Sequence, residues 1–210
     1  MIRILKSSDH EPIFRCSGIE FFIRKAEIEV GVKRLEISRG VIRVSDGANV
    51  LPYFWDDDGI MVVLVHQARV APKAVTVESP GGVIDWQEFK DESNFLSREQ
   101  MVRLTMAREL KEEAGIEVQP EKIELVFAEH YLPSILEGVA WGGIVEIQRS
   151  DLSSRCGHQL GQEYTEVMCW SLENLLKIKR AINSDGPSFN LWTSRLLDEV
   201  KKTICGSRRV

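Results

Sequence analysis

The sequence predicts an α+β fold: a sandwich around a mixed sheet, with a small N-terminal lobe of strands. Three observations support this. β-Branched residues are dense over residues 13–50, short apolar runs separated by turns recur to about residue 170, and helical patterns begin near residues 98, 171 and 187. Mixed strands with helices packed outside them make such a sandwich. We expect a lobe over residues 1–50 and a main domain over residues 51–205.

The N-terminal strands are predicted from the partial alternation of polar and apolar residues over residues 13–50. Gly31, Gly40 and Gly47 punctuate this stretch, which indicates two or three antiparallel strands. After a turn, residues 60–70 form an apolar run typical of a buried strand, and residues 73–78 indicate a shorter one. Further strands are predicted over residues 123–132, 139–149 and 165–172, and helices over residues 171–182 and 187–204.

The clearest helix signal covers residues 98–114. Ser97 is a plausible N-cap with Gln100 as its capping-box partner, and Gly115 is a typical helix-ending glycine. The helix is therefore expected to begin and end at residues whose own chemistry sets its limits.

Composition excludes several classes of function. The 210 residues carry a net charge of -5 and no long basic tract, so no nucleic-acid partner is expected. The longest apolar run, residues 60–65, is too short to span a bilayer. Four scattered cysteines without a CxxC pair indicate reduced thiols and a cytoplasmic location. Four dispersed histidines leave oxygen ligands for any metal, which favours Mg²⁺ or Mn²⁺.

Three glutamates crowd one side of the predicted helix. At 100° per residue, Glu109, Glu112 and Glu113 fall within about 100° of one another. Four apolar residues are expected to form the buried stripe opposite: Leu104, Ala107, Leu110 and Ala114. Glutamates at this spacing repel one another, so they form either a solvated acidic face or a site for cations that relieve the repulsion.

The surrounding residues favour the cation site. Gly82 is followed after five residues by Glu88, and residues 108–116 read Arg-Glu-Leu-Lys-Glu-Glu-Ala-Gly-Ile. This resembles the Nudix box, the signature of the Nudix hydrolase superfamily. The family pattern has seven residues between its first glutamate and the arginine, whereas nineteen separate Glu88 from Arg108 here. We interpret the difference as an insertion of twelve, which leaves Glu92 and Glu99 as alternatives for the first glutamate.

A wider resemblance points to one branch of the superfamily. Gln67, Arg69, Glu78, Pro80 and Gly82 follow the Gln-x-Arg and Glu-x-Pro-x-Gly pattern of the ADP-ribose pyrophosphatase branch. Residues 161–167 resemble the acidic loop that supplies the late catalytic glutamate of that branch. Glu163 is the match, and Glu166 is the second choice.

The resemblance implies specific roles. The expected metal ligands are Glu109, Glu112, Glu113 and the carbonyl of Gly81. The expected catalytic residues are Glu112, Glu163 and Arg108. Of these, Arg108 pairs with a carboxylate and orients the helix. Glu163 is preferred as general base, with Glu112 as the alternative. The expected substrate-binding residues are Arg69, Glu78, Glu88 and Glu137. Arg69 could instead form a surface ion pair.

The resemblance also implies a function. A Nudix-type α/β/α sandwich of this branch would use Mg²⁺ or Mn²⁺ to cleave a nucleoside diphosphate sugar. ADP-ribose is the leading candidate for the substrate, and its hydrolysis would give AMP and ribose 5-phosphate. The alternatives are another nucleotide sugar, such as GDP-mannose or a UDP-sugar, and a Nudix-fold module that senses its ligand without cutting it. Relatives dimerise through their N-terminal strands, so a homodimer without membrane or nucleic-acid partners is expected.

Overall fold

The computed structural model describes residues 2–10, 12–16, 19–57, 59–69, 74–89, 95–131, 135–152, 158–160, 163–180, 188–189 and 191–207. The chain divides into two compact units. The N-terminal unit comprises residues 1–46 and 129–139, and the main unit comprises residues 47–128 and 140–210. The expected boundary at residue 50 differs from this division, because a later segment, residues 129–139, joins the N-terminal unit.

In the described chain, eight strands precede the first helix, and most of the remaining strands lie between the first and second helices. In chain order they are β1 Ile2–Asp9, β2 Phe14–Cys16, β3 Ile19–Val30, β4 Lys33–Arg43, β5 Gly47–Asp56, β6 Gly59–Arg69, β7 Ala74–Glu78, β8 Gly81–Val83, α1 Arg98–Ala114, β9 Glu124–His130, β10 Leu136–Glu137, β11 Val139–Glu146, β12 His158–Leu160, β13 Glu163–Ser171, α2 Leu172–Arg180, β14 Ser188–Phe189 and α3 Leu191–Ser207. Short 3₁₀ helices lie at Pro120–Lys122 and Arg149–Asp151.

The smaller sheet is built on a long hairpin of β3 and β4. Its strand order is β1-β3-β4-β10, and β2 pairs with β3 beside β1. The pairs β1–β3, β2–β3 and β3–β4 are antiparallel, whereas β10 runs parallel to β4. The antiparallel strands predicted over residues 13–50 are thus confirmed as β2, β3 and β4. Strand β1 was not predicted.

The larger sheet is mixed, as the sequence predicts. Its strand order is β12-β13-β6-β5-β11-β9, with β7 paired to β6, β14 to β7 and β8 to β5. Strands β5 and β11 are parallel, whereas β5–β6 and β6–β13 are antiparallel.

Helices cover both faces of the larger sheet. Successive side chains of a strand point to opposite faces, and β6 follows this rule: Val63 packs in the cluster that holds α1, whereas Val62 and Leu64 pack in the cluster that holds α2 and α3. The predicted α+β sandwich is therefore confirmed. None of the helices in the described ranges is both long and apolar enough to cross a bilayer.

Candidate active site

Helix α1 carries the glutamates, and its ends are set as predicted. Ser97 accepts a hydrogen bond from the Gln100 backbone N–H, and the Gln100 side chain accepts one from the Ser97 N–H, which completes a capping box. At the other end Gly115 adopts φ 68°, a left-handed conformation that glycine adopts without the cost of a Cβ. Local chemistry thus fixes where the helix begins and where it ends.

The buried face of α1 differs from the predicted stripe. Leu110 and Ala114 are buried as expected, whereas Leu104 and Ala107 are only half-buried. The other buried residues of the helix are Met101, Val102, Thr105, Met106 and Glu113. The expectation that all three glutamates lie opposite the buried stripe is wrong, because Glu113 is on the buried face and only 9% exposed.

Glu113 is buried because a backbone donor meets it. The N–H of Gly81 donates to Glu113 Oε2 at 2.8 Å. Gly81 lies in the turn from β7 to β8, which we call the glycine turn (residues 79–82). A buried carboxylate is tolerated when hydrogen bonds replace its lost hydration, so this contact joins the glycine turn to α1.

Glu109 lies against the same turn. A Cβ added to Gly82 would stand 2.4–2.6 Å from the Glu109 carboxyl atoms. Only glycine at position 82 leaves this carboxylate in place, and any larger residue would displace it. The turn and the helix therefore bring two carboxylates, Glu109 and Glu113, to one pair of glycines.

Arg108 pairs with two carboxylates. Its Nη1 donates to Glu88 and its Nη2 donates to Glu109 Oε1 at 3.0 Å. Of the two candidates for the first glutamate that lie within the described residues, Glu88 and Glu99, Glu88 contacts this arginine. Glu99 lies in the first turn of α1, and Glu92 lies outside the described residues. Between Glu88 and Arg108, Met101 and Val102 lie in the first turns of α1 and are buried in the core.

The electrostatics at Glu109 suit cation binding. Burial raises the pKa of the Glu109 carboxyl, and the charges of Glu112 and Glu88 add to the rise, while Arg108 opposes it. Glu112 itself is exposed. Within the described ranges no group of three His, Cys, Asp or Glu side chains is gathered as a metal site. The pair of carboxylates at the glycine turn nevertheless supplies the hard oxygen donors that Mg²⁺ and Mn²⁺ prefer.

The remaining expected site residues are placed as follows. Glu78 ends β7, is buried, and accepts a hydrogen bond from the Thr76 hydroxyl. Arg69 ends β6 and Glu163 begins β13, but their side chains lie outside the described part of the chain. Glu166 is exposed, with Oε2 at 3.9 Å from His66 Nδ1.

Glu137 belongs to the N-terminal unit and is engaged there. Its Oε1 accepts from Arg24 and its Oε2 from Arg43, each at 2.9 Å. Asp9 accepts from the same two arginines, and both guanidinium groups lie over the Phe22 ring, 5.3 and 4.7 Å from its centroid. Both oxygens of Glu137 are therefore occupied within this unit.

Two contacts near the site were not predicted. Arg98 lies over the rings of Trp86 and Trp141, 4.8 and 5.6 Å from their centroids, so the start of α1 is held against two indoles that also pack on the core. On the other face of the sheet, Thr193 of α3 contacts Ser79 of the glycine turn. A lone buried threonine and a first-turn arginine carry no distinctive sequence pattern.

Comparison with known proteins confirms the fold. No family model matches the chain, and no curated protein matches it by sequence. A crystal structure of an ADP compounds hydrolase matches with a TM-score of 0.64 at 17% identity, over 100% of this chain and 97% of that one. At this identity the likeness shows the fold alone. The chain therefore shares the α+β fold of this structure.

Proposed function

We propose that this protein hydrolyses the pyrophosphate bond of a nucleoside diphosphate sugar with the help of Mg²⁺ or Mn²⁺. ADP-ribose is the leading substrate, with AMP and ribose 5-phosphate as products. The observation that carries the proposal is the meeting of Glu109 and Glu113 with Gly81 and Gly82. The fold shared with an ADP compounds hydrolase supports it.

The residues of α1 and the glycine turn fit a divalent cation. Glu109, Glu112, Glu113 and the carbonyl of Gly81 would hold it, since all four offer hard oxygen donors. When bound, the cation would offset charge on the pyrophosphate oxygens and acidify a bound water. It would also neutralise Glu109, whose burial disfavours the free carboxylate.

The chain's own side chains position the reactants. Arg108 holds Glu109 in place while Glu88 holds Arg108. Glu163 is our candidate for the general base, with Glu112 as the alternative. Arg69 is proposed to bind a phosphate through its planar guanidinium, and Glu78 and Glu88 to contact the substrate. Glu137 would have to exchange one of its arginine partners to do the same.

We also propose a homodimer through the N-terminal unit. This unit exposes apolar residues on one face of its sheet. Ile4 and Leu35 are both exposed, and they lie on the same face because each is a cross-strand neighbour of Ile28. A groove of about 340 Å³ on the unit is lined in part by Ile4 and Ile135. Exposed apolar patches of this kind mark interaction sites.

The scattered cysteines support a cytoplasmic location.

The test is Mg²⁺-dependent release of monophosphate from ADP-ribose, GDP-mannose and UDP-glucose. The variants Glu112→Gln and Glu113→Gln should lose activity. In Glu113→Gln the new amide oxygen can still accept from the Gly81 N–H, so the glycine turn is kept. Glu117→Gln is the matched control, because Glu117 pairs with Lys111 on the surface after the helix and is 74% exposed.

Each outcome decides between the candidates. Turnover of ADP-ribose that both variants lose and the control keeps supports the full proposal. Turnover of another member of the panel supports the proposed reaction but identifies a different substrate. Binding of Mn²⁺ without turnover of any member favours a sensing module, and absence of Mn²⁺ binding contradicts the proposed site.

A further inference from the structure

The glycine turn is held from three directions by hydrogen bonds. The carbonyl of Pro80 accepts from Val50 N of β5 at 2.8 Å, the Gly81 N–H donates to Glu113 of α1, and the Ser79 N–H donates to Thr193 Oγ1 of α3 at 2.7 Å. Helices α1 and α3 cover opposite faces of the sheet. The turn is therefore clamped from both faces as well as by its neighbouring strand.

The contact from α3 is the least expected of the three. Thr193 is 0% exposed and Ser79 is 3% exposed, and their two hydroxyl oxygens lie 3.2 Å apart. Leu196 and Leu197 of the same helix lie in the apolar core. A buried hydroxyl costs free energy unless it is hydrogen-bonded, and the Ser79 backbone N–H supplies such a bond. A valine at 193 would fill nearly the same space without that cost.

We propose that Thr193 is a positioning residue for the candidate active site. It fixes the start of the glycine turn, and through the turn it sets the position of the Gly81 carbonyl and of the Gly81–Glu113 hydrogen bond. Its hydroxyl contacts Ser79 directly, so its effect passes through the backbone of residues 79–81. The inference rests on the proposed function only where it concerns metal binding.

The test compares Thr193→Val, which removes the hydroxyl, with Thr193→Ser, which keeps it. The first measurement is amide hydrogen exchange of Ser79 and Gly81 by NMR, which needs neither metal nor substrate. We expect exchange about tenfold faster at both amides in Thr193→Val, because the hydrogen bonds between the Thr193 hydroxyl and Ser79 are lost and the turn loosens. Thr193→Ser should exchange like the natural protein.

The second measurement is Mn²⁺ affinity by calorimetry. Loss of a group that supports a metal ligand typically weakens affinity about 10- to 100-fold, and we expect this for Thr193→Val and not for Thr193→Ser. If Thr193→Val does not fold, Thr193→Ala makes the same comparison, because it too removes the hydroxyl.

The outcomes separate this inference from the proposed function. Unchanged exchange at Gly81 in a folded hydroxyl-free variant would overturn the inference, and so would unchanged Mn²⁺ affinity. If the natural protein binds no Mn²⁺, the proposed function fails, whereas the exchange measurement still decides whether Thr193 positions the turn.

Discussion

Glu109 is a carboxylate whose folded position favours binding over stability. It is largely buried, its only described cationic partner is Arg108, and it lies against Gly82. Burial raises the pKa of this carboxyl above its usual 4.5. The folded protein therefore holds a proton at Glu109 more tightly than the unfolded chain does, so above this raised pKa the ionised group opposes folding.

Replacing Glu109 by glutamine should stabilise the metal-free protein. We expect a gain of about 0.5–2 kcal/mol in the free energy of unfolding at pH 7, because the buried charge is removed while an oxygen that Arg108 can donate to is kept. The gain should be small near pH 4.5, where the unfolded carboxyl titrates, and should grow as the pH rises through the raised folded pKa.

Thermal unfolding from pH 4 to 8 without divalent cations measures this gain. Addition of Mn²⁺ should reverse the order, because the natural protein gains binding energy and the variant gains little. A variant less stable than the natural protein at pH 7 without metal would contradict the assignment.

Glu88 is expected to matter more than Glu99 despite the long insertion. Glu88→Gln removes the charge that pairs with Arg108 and should reduce pyrophosphatase activity about tenfold, as supporting residues of metal sites typically do. Glu99→Gln is the matched control, since Glu99 lies nine residues before Arg108 on the same helix. Equal losses in the two variants would show that the Arg108 pair does not support the site.

At the scale of single residues, the sequence predicted the contact that the motif at residues 108–116 implies. It did not predict contacts between residues that only the fold brings together. The pairing of Arg108 with a carboxylate follows from the motif. The burial of Glu113 does not, because its donor is the backbone of Gly81, thirty-two residues earlier in the chain. Backbone donors have no side-chain signature, so no pattern of residue types reveals them.

At the scale of elements, α1 shows which features are locally encoded. Both of its ends were predicted, because a capping box and a left-handed glycine involve only residues within one turn of the helix. Its buried face was predicted only in part, because Leu110 and Ala114 are buried as expected but Glu113, which was expected on the opposite side, is buried with them. Strand β1 was missed because its polar second half is held by pairing along β3 rather than by an apolar pattern of its own.

The capping box makes a measurable contribution to stability. Ser97→Ala removes the acceptor for the Gln100 N–H and should lower the free energy of unfolding by about 1 kcal/mol. For a protein of 210 residues this corresponds to a fall in Tm of roughly 2–4 °C. Ser97→Asp is the control and should retain the natural Tm, because aspartate is an equally good N-cap. An unchanged Tm in Ser97→Ala would show that the cap contributes nothing.

At the scale of the whole molecule, the division into units depends on long-range pairing. Residues 129–139 belong to the N-terminal unit, in which β10 pairs with β4. Pairing between segments about a hundred residues apart is set by the folded topology, so a reading along the chain placed the boundary near residue 50. The packing of helices outside a mixed sheet, in contrast, was predicted, because the strand and helix patterns that indicate it are local features of the sequence.

The proposed homodimer depends on the exposed apolar face of the N-terminal unit. The double variant Ile4→Glu and Leu35→Glu should be monomeric in light scattering, because charges on this face oppose burial. Val75→Glu is the control, since Val75 is 61% exposed and lies in the main unit. A natural protein that is already monomeric would disprove the dimer.

Substitutions at Gly82 should remove function without unfolding the protein. A Cβ at this position meets the end of the Glu109 side chain, which can swing away, and the backbone there does not require a positive φ. Alleles encoding alanine or serine at 82 should therefore yield protein at normal abundance that has lost its function. Alleles that replace a core residue such as Val102 by a smaller one should reduce abundance and function together. In a mutational scan that scores both traits, position 82 would separate them.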